Sequence, residues 1–353
     1  MTSKKWVISF ISLSLIFMLV LMGVVYAYDP FCYYRIPENR FIVNNYRFLN
    51  AGIAKNAEYD SVIIGSSMTQ NFNIQSFREK LNVNPIKLSV GAMSIEGMKI
   101  TYNLVKDIDK AQKIFLCIDI PSLNKEEDDL STYATYLYNK TPADDFKYLI
   151  GYETWTRLLP LSMAFNVLEK SGVNLPDFYG SYSIDNIGEW HSQAVYDKNI
   201  IIKNYLNKNT GLSTQNSKDA YKRMVQNTDK IVDVICKDGK EVVLFFPPYS
   251  ALFWYNSMQN ELFEDYVKVK SYIVNKVEEM SNVSVYDFQP MPQICDLNNY
   301  KDITHYRAEI NEDMVDCFAN EQYRVTGETI DNSIKELRKK VEEFKNNNSD
   351  WLK

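Results

Sequence analysis

Five short apolar runs follow a long uncharged start. They are Ser61–Gly65, 86–90, 113–120, Glu241–Phe246 and Val283–Asp287, each of strand length and bounded by Gly, Pro or polar residues. Runs of this kind, separated by helical stretches, predict a parallel sheet covered on both faces. Helices are expected over 94–110, with Ser94 as cap, and over 217–237, stopped by Asp238-Gly239. Others are expected over 261–280 and over the tail 329–346. In the tail, Ile330, Ile334, Leu337, Val341 and Phe344 share one face, which is expected to pack on the body. Residues 29–60 are a polar, tyrosine-rich approach to the first strand. From about 124 to 216 the alternation breaks into a stretch rich in Tyr, Trp and Leu, helical over 146–170. This reads as an insertion capping the carboxyl edge of the sheet.

Residues 6–28 carry no charge, Lys4 and Lys5 precede them, and Asp29-Pro30 ends them. A helix of that length spans a hydrocarbon core of roughly 30 Å. The lysines predict a cytoplasmic amino terminus with the rest of the chain exported. Val25-Tyr26-Ala27 also resembles a small-x-small cleavage site, which keeps a cleaved signal peptide open. Both readings place the bulk of the chain outside. The expected organisation is an anchor over 1–28, an extracytoplasmic domain over 29–328 and a carboxyl-terminal helix over 329–353.

Of the 353 residues, 39 are Lys or Arg and 45 Asp or Glu, a net charge of −6, which argues against a chain-wide nucleic-acid footprint. The 14% aromatic content argues against disorder. Two histidines, His191 and His305, are too few for a three-His zinc site. Five cysteines, at 32, 117, 236, 295 and 317, show no C-x-x-C spacing. Cys117 lies in an apolar strand and is expected to be buried. Cys295 and Cys317 bracket the loop around His305, so a bond between them is one arrangement to test. No metal cluster or phosphate loop is visible, and no cofactor is expected.

Gly65-Ser66-Ser67-Met68 directly follows the first strand. In an open parallel sheet ligands bind outside the carboxyl ends of the strands. A serine on a tight turn there, given a base, is placed for nucleophilic attack. Asp302-Ile303-Thr304-His305 supplies a base and a carboxylate to orient it. His191, in Glu189-Trp190-His191, has no comparable carboxylate motif and reads as structural. Trp155, Trp190 and Trp254 are candidates for stacking on sugar faces, with core packing the plainer reading.

The order strand–Gly-x-Ser, a glycine after the second strand, and a late Asp-x-x-His resembles the SGNH (GDSL-type) hydrolase superfamily. The resemblance makes Ser67 the nucleophile, Asp302 and His305 the rest of the triad, and Gly91 the second-block glycine. It implies a three-layer α/β/α fold with a parallel sheet, and an oxyanion or substrate-binding role for Gly91, Met68 and Asp119. One departure stands out. Cys117-Ile118-Asp119-Ile120-Pro121 lacks the family's third-block asparagine, and Asp119 is the nearest equivalent. With the anchor and Asp302-x-x-His305-Tyr306, the chain is similar to membrane-tethered SGNH-like acyltransferases. These include the DltD-type proteins of teichoic-acid D-alanylation and those that O-acetylate alginate. That resemblance implies O-acyl transfer, most simply of acetyl, to a cell-envelope or secreted polysaccharide or a teichoic acid. It also implies an acyl-Ser67 intermediate and a membrane-bound O-acyltransferase (MBOAT) partner. An anchored esterase that deacetylates a glycan, or a non-catalytic polysaccharide-binding scaffold, would carry the same motifs.

Overall fold

The computed structural model describes residues 3–125, 130–139, 141, 144–209, 217–235 and 239–352. Cys236 and Asp238 lie outside the described residues. The chain divides into two compact units, one of Met1–Glu58 with Ser131–Gly188, the other of Tyr59–Leu130 with Glu189–Lys353. Among the described residues the strands are, in chain order, β1 (Ile42–Val43), β2 (Ser61–Gly65), β3 (Pro85–Ser89), β4 (Lys113–Cys117), β5 (Gly180–Ser181), β6 (Glu241–Phe246), β7 (Val283–Asp287) and β8 (Arg324–Val325).

The second unit is α/β around a mostly parallel sheet of order β3-β2-β4-β6-β7-β8. The first five are parallel, and β8 joins β7 antiparallel. Every residue of β2 is buried, which explains a run that is apolar rather than alternating. Phe115 and Phe245 point to one face, where Phe115 meets Phe77 (ring centroids 5.1 Å) and Phe245 meets Phe318 (5.4 Å). Those partners come from helices Ile74–Leu81 and Ala308–Ala319. The neighbours Leu116 and Leu244 point the other way. Leu116 lines a small cavity with Met98, Tyr102 and Ile231, and Leu244 lines another with Ile231, Val232 and Ile273. These lie on helices Ile95–Lys106, Ala220–Ile235 and Phe263–Val277. Each such side chain contributes about 1.5–3 kcal/mol by leaving water.

Three predicted strands, β2, β6 and β7, have their expected bounds. β3 begins one residue early because Pro85 pairs with Ser61. β4 ends at Cys117, before the turn that carries Asp119. Ser94 caps its helix by accepting from the Gly97 N–H at 3.0 Å. The tail helix Ile330–Asn347 buries the five apolar residues of its predicted face, and Ser333 reaches Asp287 on β7.

The first unit begins with a 26-residue helix, Ser3–Tyr28, whose best 18-residue window has a mean hydropathy of 2.7. It is long and apolar enough to cross a membrane. The tyrosine-rich approach contains a helix, Tyr46–Asn56, which its sequence did not announce. Its apolar face is short, and it is buried through Asn50, Ala51 and Gly52 as much as through Leu49 and Ile53. β1 pairs antiparallel with β5. Asp29, in the left-handed region at φ 49°, ties the end of the first helix to the segment after it and to Tyr148. Its carboxylate accepts from the N–H groups of Tyr33, Tyr34 and Arg35 and from Tyr148 Oη, at 2.8–2.9 Å.

The four described cysteines are free thiols. Cys117 is fully buried. Cys295 and Cys317 are not bonded to each other: the Cys295 thiol faces the Lys340 carbonyl, and the Cys317 thiol faces Gln322 Oε1.

Candidate active site

Gly65 closes β2 where a side chain has no room. A Cβ there would lie 2.6 Å from Thr69 Cγ2 and 2.7 Å from Cys117 Cβ. The chain then turns sharply into a single 3-10 turn, Ser67–Thr69. Ser66 caps it by accepting from the Met68 N–H at 3.2 Å. Thr69 Oγ1 donates back to the Ser66 carbonyl or to Ser89 Oγ, 2.9 and 2.6 Å away, which ties the turn to the end of β3. Ser67 is thereby held at the carboxyl end of β2. By chain order the parallel strands run second-first-third-fourth-fifth across the sheet. The order reverses at β2 and β4, the place where such sheets bind ligands.

His305 meets Ser67 from a loop 238 residues further on. Ser67 Oγ and His305 Nε2 are 2.7 Å apart, and His305 Nδ1 and Asp302 Oδ2 are 2.8 Å apart. Asp302 Oδ1 also accepts from the N–H groups of Thr304 and His305 and from Thr304 Oγ1, each at 2.9 Å. Burial alone would raise the Asp302 carboxyl. The His305 imidazole and these backbone donors outweigh it and hold the carboxyl well below the usual carboxylate range. With Nδ1–H committed to an ionised Asp302, Nε2 is the acceptor for the Ser67 proton.

The loop itself is fastened from several sides. Tyr300 Oη donates to the Pro248 carbonyl, Ser250 Oγ to the Ile303 carbonyl, and Tyr306 Oη to the Met68 carbonyl, at 2.6–2.9 Å. Asn311 Nδ2 adds a longer bond to the same Met68 carbonyl, at 3.3 Å. Tyr306 thus joins the Asp302–His305 loop directly to the Ser67 turn.

The other predicted site residues fall around this triad differently. A Cβ at Gly91 would meet only Gln70 Nε2, at 3.9 Å, so crowding does not require a glycine there. Among the described residues the N–H groups of Ser67 and Gly91 have no acceptor, whereas the Met68 N–H is taken by Ser66. Met68 buries its side chain and contributes its carbonyl to the Tyr306 bond. Asp119 is buried and accepts from Tyr249 Oη at 2.6 Å and hydrogen-bonds Ser66. Burial pushes its carboxyl up, against the lowering by Ser66, Tyr249 and the His305 ring. The two carboxyls are thus pushed in opposite directions, Asp302 below the usual carboxylate range and Asp119 above its ordinary value.

Trp190 is part of this cluster. Its Nε1–H donates to the Ser67 carbonyl at 3.1 Å, and its ring stands edge-on to His305, centroids 5.4 Å apart. Asn71 Oδ1 accepts from the N–H groups of Trp190 and His191, and Glu189 pairs with the buried Lys87 at 2.8 Å. His191 therefore does have a carboxylate beside it: Glu189 Oε2 lies 3.4 Å from Nε2. Trp254 is fully buried in the core. Trp155 donates to the Leu149 carbonyl in the first unit. The supporting residues Ser66, Asn71, Tyr249 and Glu189 escaped the motif reading, although Tyr249 could be suspected from Pro247-Pro248 closing the neighbouring strand.

No protein-family model matches the chain, and no curated protein is significantly similar to it.

Proposed function

We propose that this chain is a membrane-tethered serine O-acyltransferase of the SGNH-like type. It would act outside the cytoplasm on a cell-envelope or secreted polysaccharide, or on a teichoic acid. The observation that carries the reading is the unbroken relay Ser67–His305–Asp302 at the strand carboxyl ends. A scaffold that had lost catalysis would have no need of a nucleophile, base and orienting carboxylate at 2.7 and 2.8 Å.

Ser67 Oγ attacks the acyl carbonyl of a donor as His305 Nε2 takes its proton. The tetrahedral oxyanion is met by the Ser67 and Gly91 N–H groups, each such donor typically worth about 3–4 kcal/mol. Collapse breaks the bond to the leaving group, which takes the proton from His305, and leaves acyl-Ser67. An acceptor hydroxyl then loses its proton to His305 and attacks that ester, and Ser67 is regenerated with the proton returned. Acetyl is the simplest acyl group, and a partner of the MBOAT class would deliver it across the bilayer. Hydrolysis by an anchored esterase is the second reading, favoured by the partial exposure of the His305 side chain, which admits water as well as a sugar hydroxyl.

The test compares polymer-bound ester in cells with wild-type protein and with Ser67→Ala at matched expression. Transfer predicts loss of ester from one wall or secreted polymer, and deacylation predicts a rise. An unchanged polymer, with the variant folded and anchored, would remove both enzymatic readings.

A further inference from the structure

Helix Leu159–Lys170 of the first unit is built inside out. Its buried residues are Leu159, Ser162 and Asn166. Asn166 bonds both the N–H and the carbonyl of Phe41, and Ser162 Oγ reaches Tyr28 Oη at 3.4 Å. The remaining arc carries Leu161, Met163, Val167 and Leu168, all exposed, Val167 by 66%. No charge occurs from Leu158 to Leu168; Arg157 and Glu169 bound the stretch. A helix on a water-facing surface turns its apolar stripe inward, and this one turns it out.

The same unit contains the long apolar helix, and the two features are contiguous. On Ser3–Tyr28 the residues with reduced exposure include Met18, Leu21, Met22 and Val25, spaced as one helical face. Helix Asp145–Ile150 packs against the long helix, and Tyr28 at its end meets Ser162. With Tyr28 at the outer boundary of a bilayer, Met18 lies about 15 Å deeper along the axis. Whatever packs along that face sits at the depth of headgroups and outer acyl chains. Ile150 ends the packed helix, and Tyr152, 83% exposed, lies on the connection from it to the inverted one.

We propose that the Leu161–Val167–Leu168 face, with Ile150 and Tyr152, is seated in the outer leaflet, its occupant being lipid. The proposal rests on Ser3–Tyr28 spanning the membrane. Interfacial helices bury an apolar face about 5–10 Å into the headgroup–acyl boundary. The uncharged arc, continuous with a helix that itself faces lipid, fits that occupant.

The test uses the full chain in phosphatidylcholine–phosphatidylglycerol vesicles, with an environment-sensitive fluorophore at Leu15→Cys, Tyr152→Cys or Val167→Cys in turn. Labelling of the native cysteines is subtracted with the unsubstituted chain. Nitroxide-bearing lipids should quench all three positions, with Val167 and Tyr152 shallower than Leu15. Quenching at Val167 by lipid should exceed that by aqueous iodide several-fold. Quenching at Leu15 together with iodide access at Val167 and Tyr152 would overturn the seating and leave the span intact. That outcome would free the face for a membrane-protein partner. Failure of lipid quenching at Leu15 would overturn the span, and the seating with it.

Discussion

Two aspartates, Asp302 bonded to the His305 imidazole and Asp119 feeling only its charge, carry opposite pKa shifts, and substitution separates them. Asp302→Asn keeps shape but removes the charge that fixes the His305 tautomer. In serine-triad enzymes that change costs about 10⁴-fold in kcat, and a loss of that order is expected here with an activated acetyl ester. Asp119→Asn keeps the shape of a side chain whose charged form burial disfavours, and most of the activity should survive. A collapse comparable to that of Asp302→Asn would assign Asp119 a charged role. Trp190→Phe keeps an aromatic ring beside His305 and under Lys301 Nζ and removes the indole bond to the Ser67 carbonyl. A neutral hydrogen bond is worth about 0.5–1.5 kcal/mol, so kcat/KM should fall by no more than about tenfold. The triad was legible because histidine is scarce and Asp302 sits three residues before it. The supports were not: Trp190, Tyr249 and Asn71 come from separate segments, and only folding brings them together.

Among the elements, β2 and its turn bear the tightest constraint. Gly65→Ala would press a methyl into Thr69 and Cys117, forcing the Ser66–Ser67 turn to shift. Activity should fall further than stability, which parallel ester-turnover and urea-unfolding measurements would detect. The tail helix is the opposite case, structural and distant in sequence from the chemistry. Leu337 is fully buried, and Leu337→Ala should cost about 2–5 kcal/mol in a urea titration. An unchanged midpoint would mean the helix is not part of the cooperative unit. The strands were legible because five continuous apolar runs ended at Gly, Pro or polar residues. The helices Ala251–Gln259 and Tyr46–Asn56 were not. The first is buried nearly all round, so no polar stripe marks its period, and the second buries Asn50 and Gly52 among its apolar residues. The two-residue strands β1, β5 and β8 are too short for any periodic signal.

At the scale of the molecule the two carboxyls give acid behaviour of opposite sign. The Asp302 carboxyl is lower in the folded state. Its contribution is therefore fully present above the ordinary carboxylate range and is lost as pH falls through and below it. The Asp119 carboxyl is higher in the folded state, so ionisation opposes folding increasingly as pH rises past its unfolded value. Asp302→Asn should therefore be less stable than wild type at about pH 7, and Asp119→Asn more stable. The Asp119 difference should shrink as the medium approaches about pH 4, whereas the Asp302 difference should persist to about that pH and fade only below it, which urea midpoints from about pH 7 to about pH 2 would check. A like sign for the two variants would contradict the assignment. The knot at Asp29 has a mechanical consequence. Four donors converge on one carboxylate immediately after the apolar helix, and Arg40 holds the Asp29 carbonyl. A flexible stalk of n residues would give a reach of about 5–6 Å × √n, and no such stalk separates this helix from the body of its unit. Helix and unit turn as one piece, like a bolt and its head. With that helix spanning a bilayer, as proposed, orientation set by the membrane would be transmitted to the unit without slack, and its encounters would be confined to sliding in a plane.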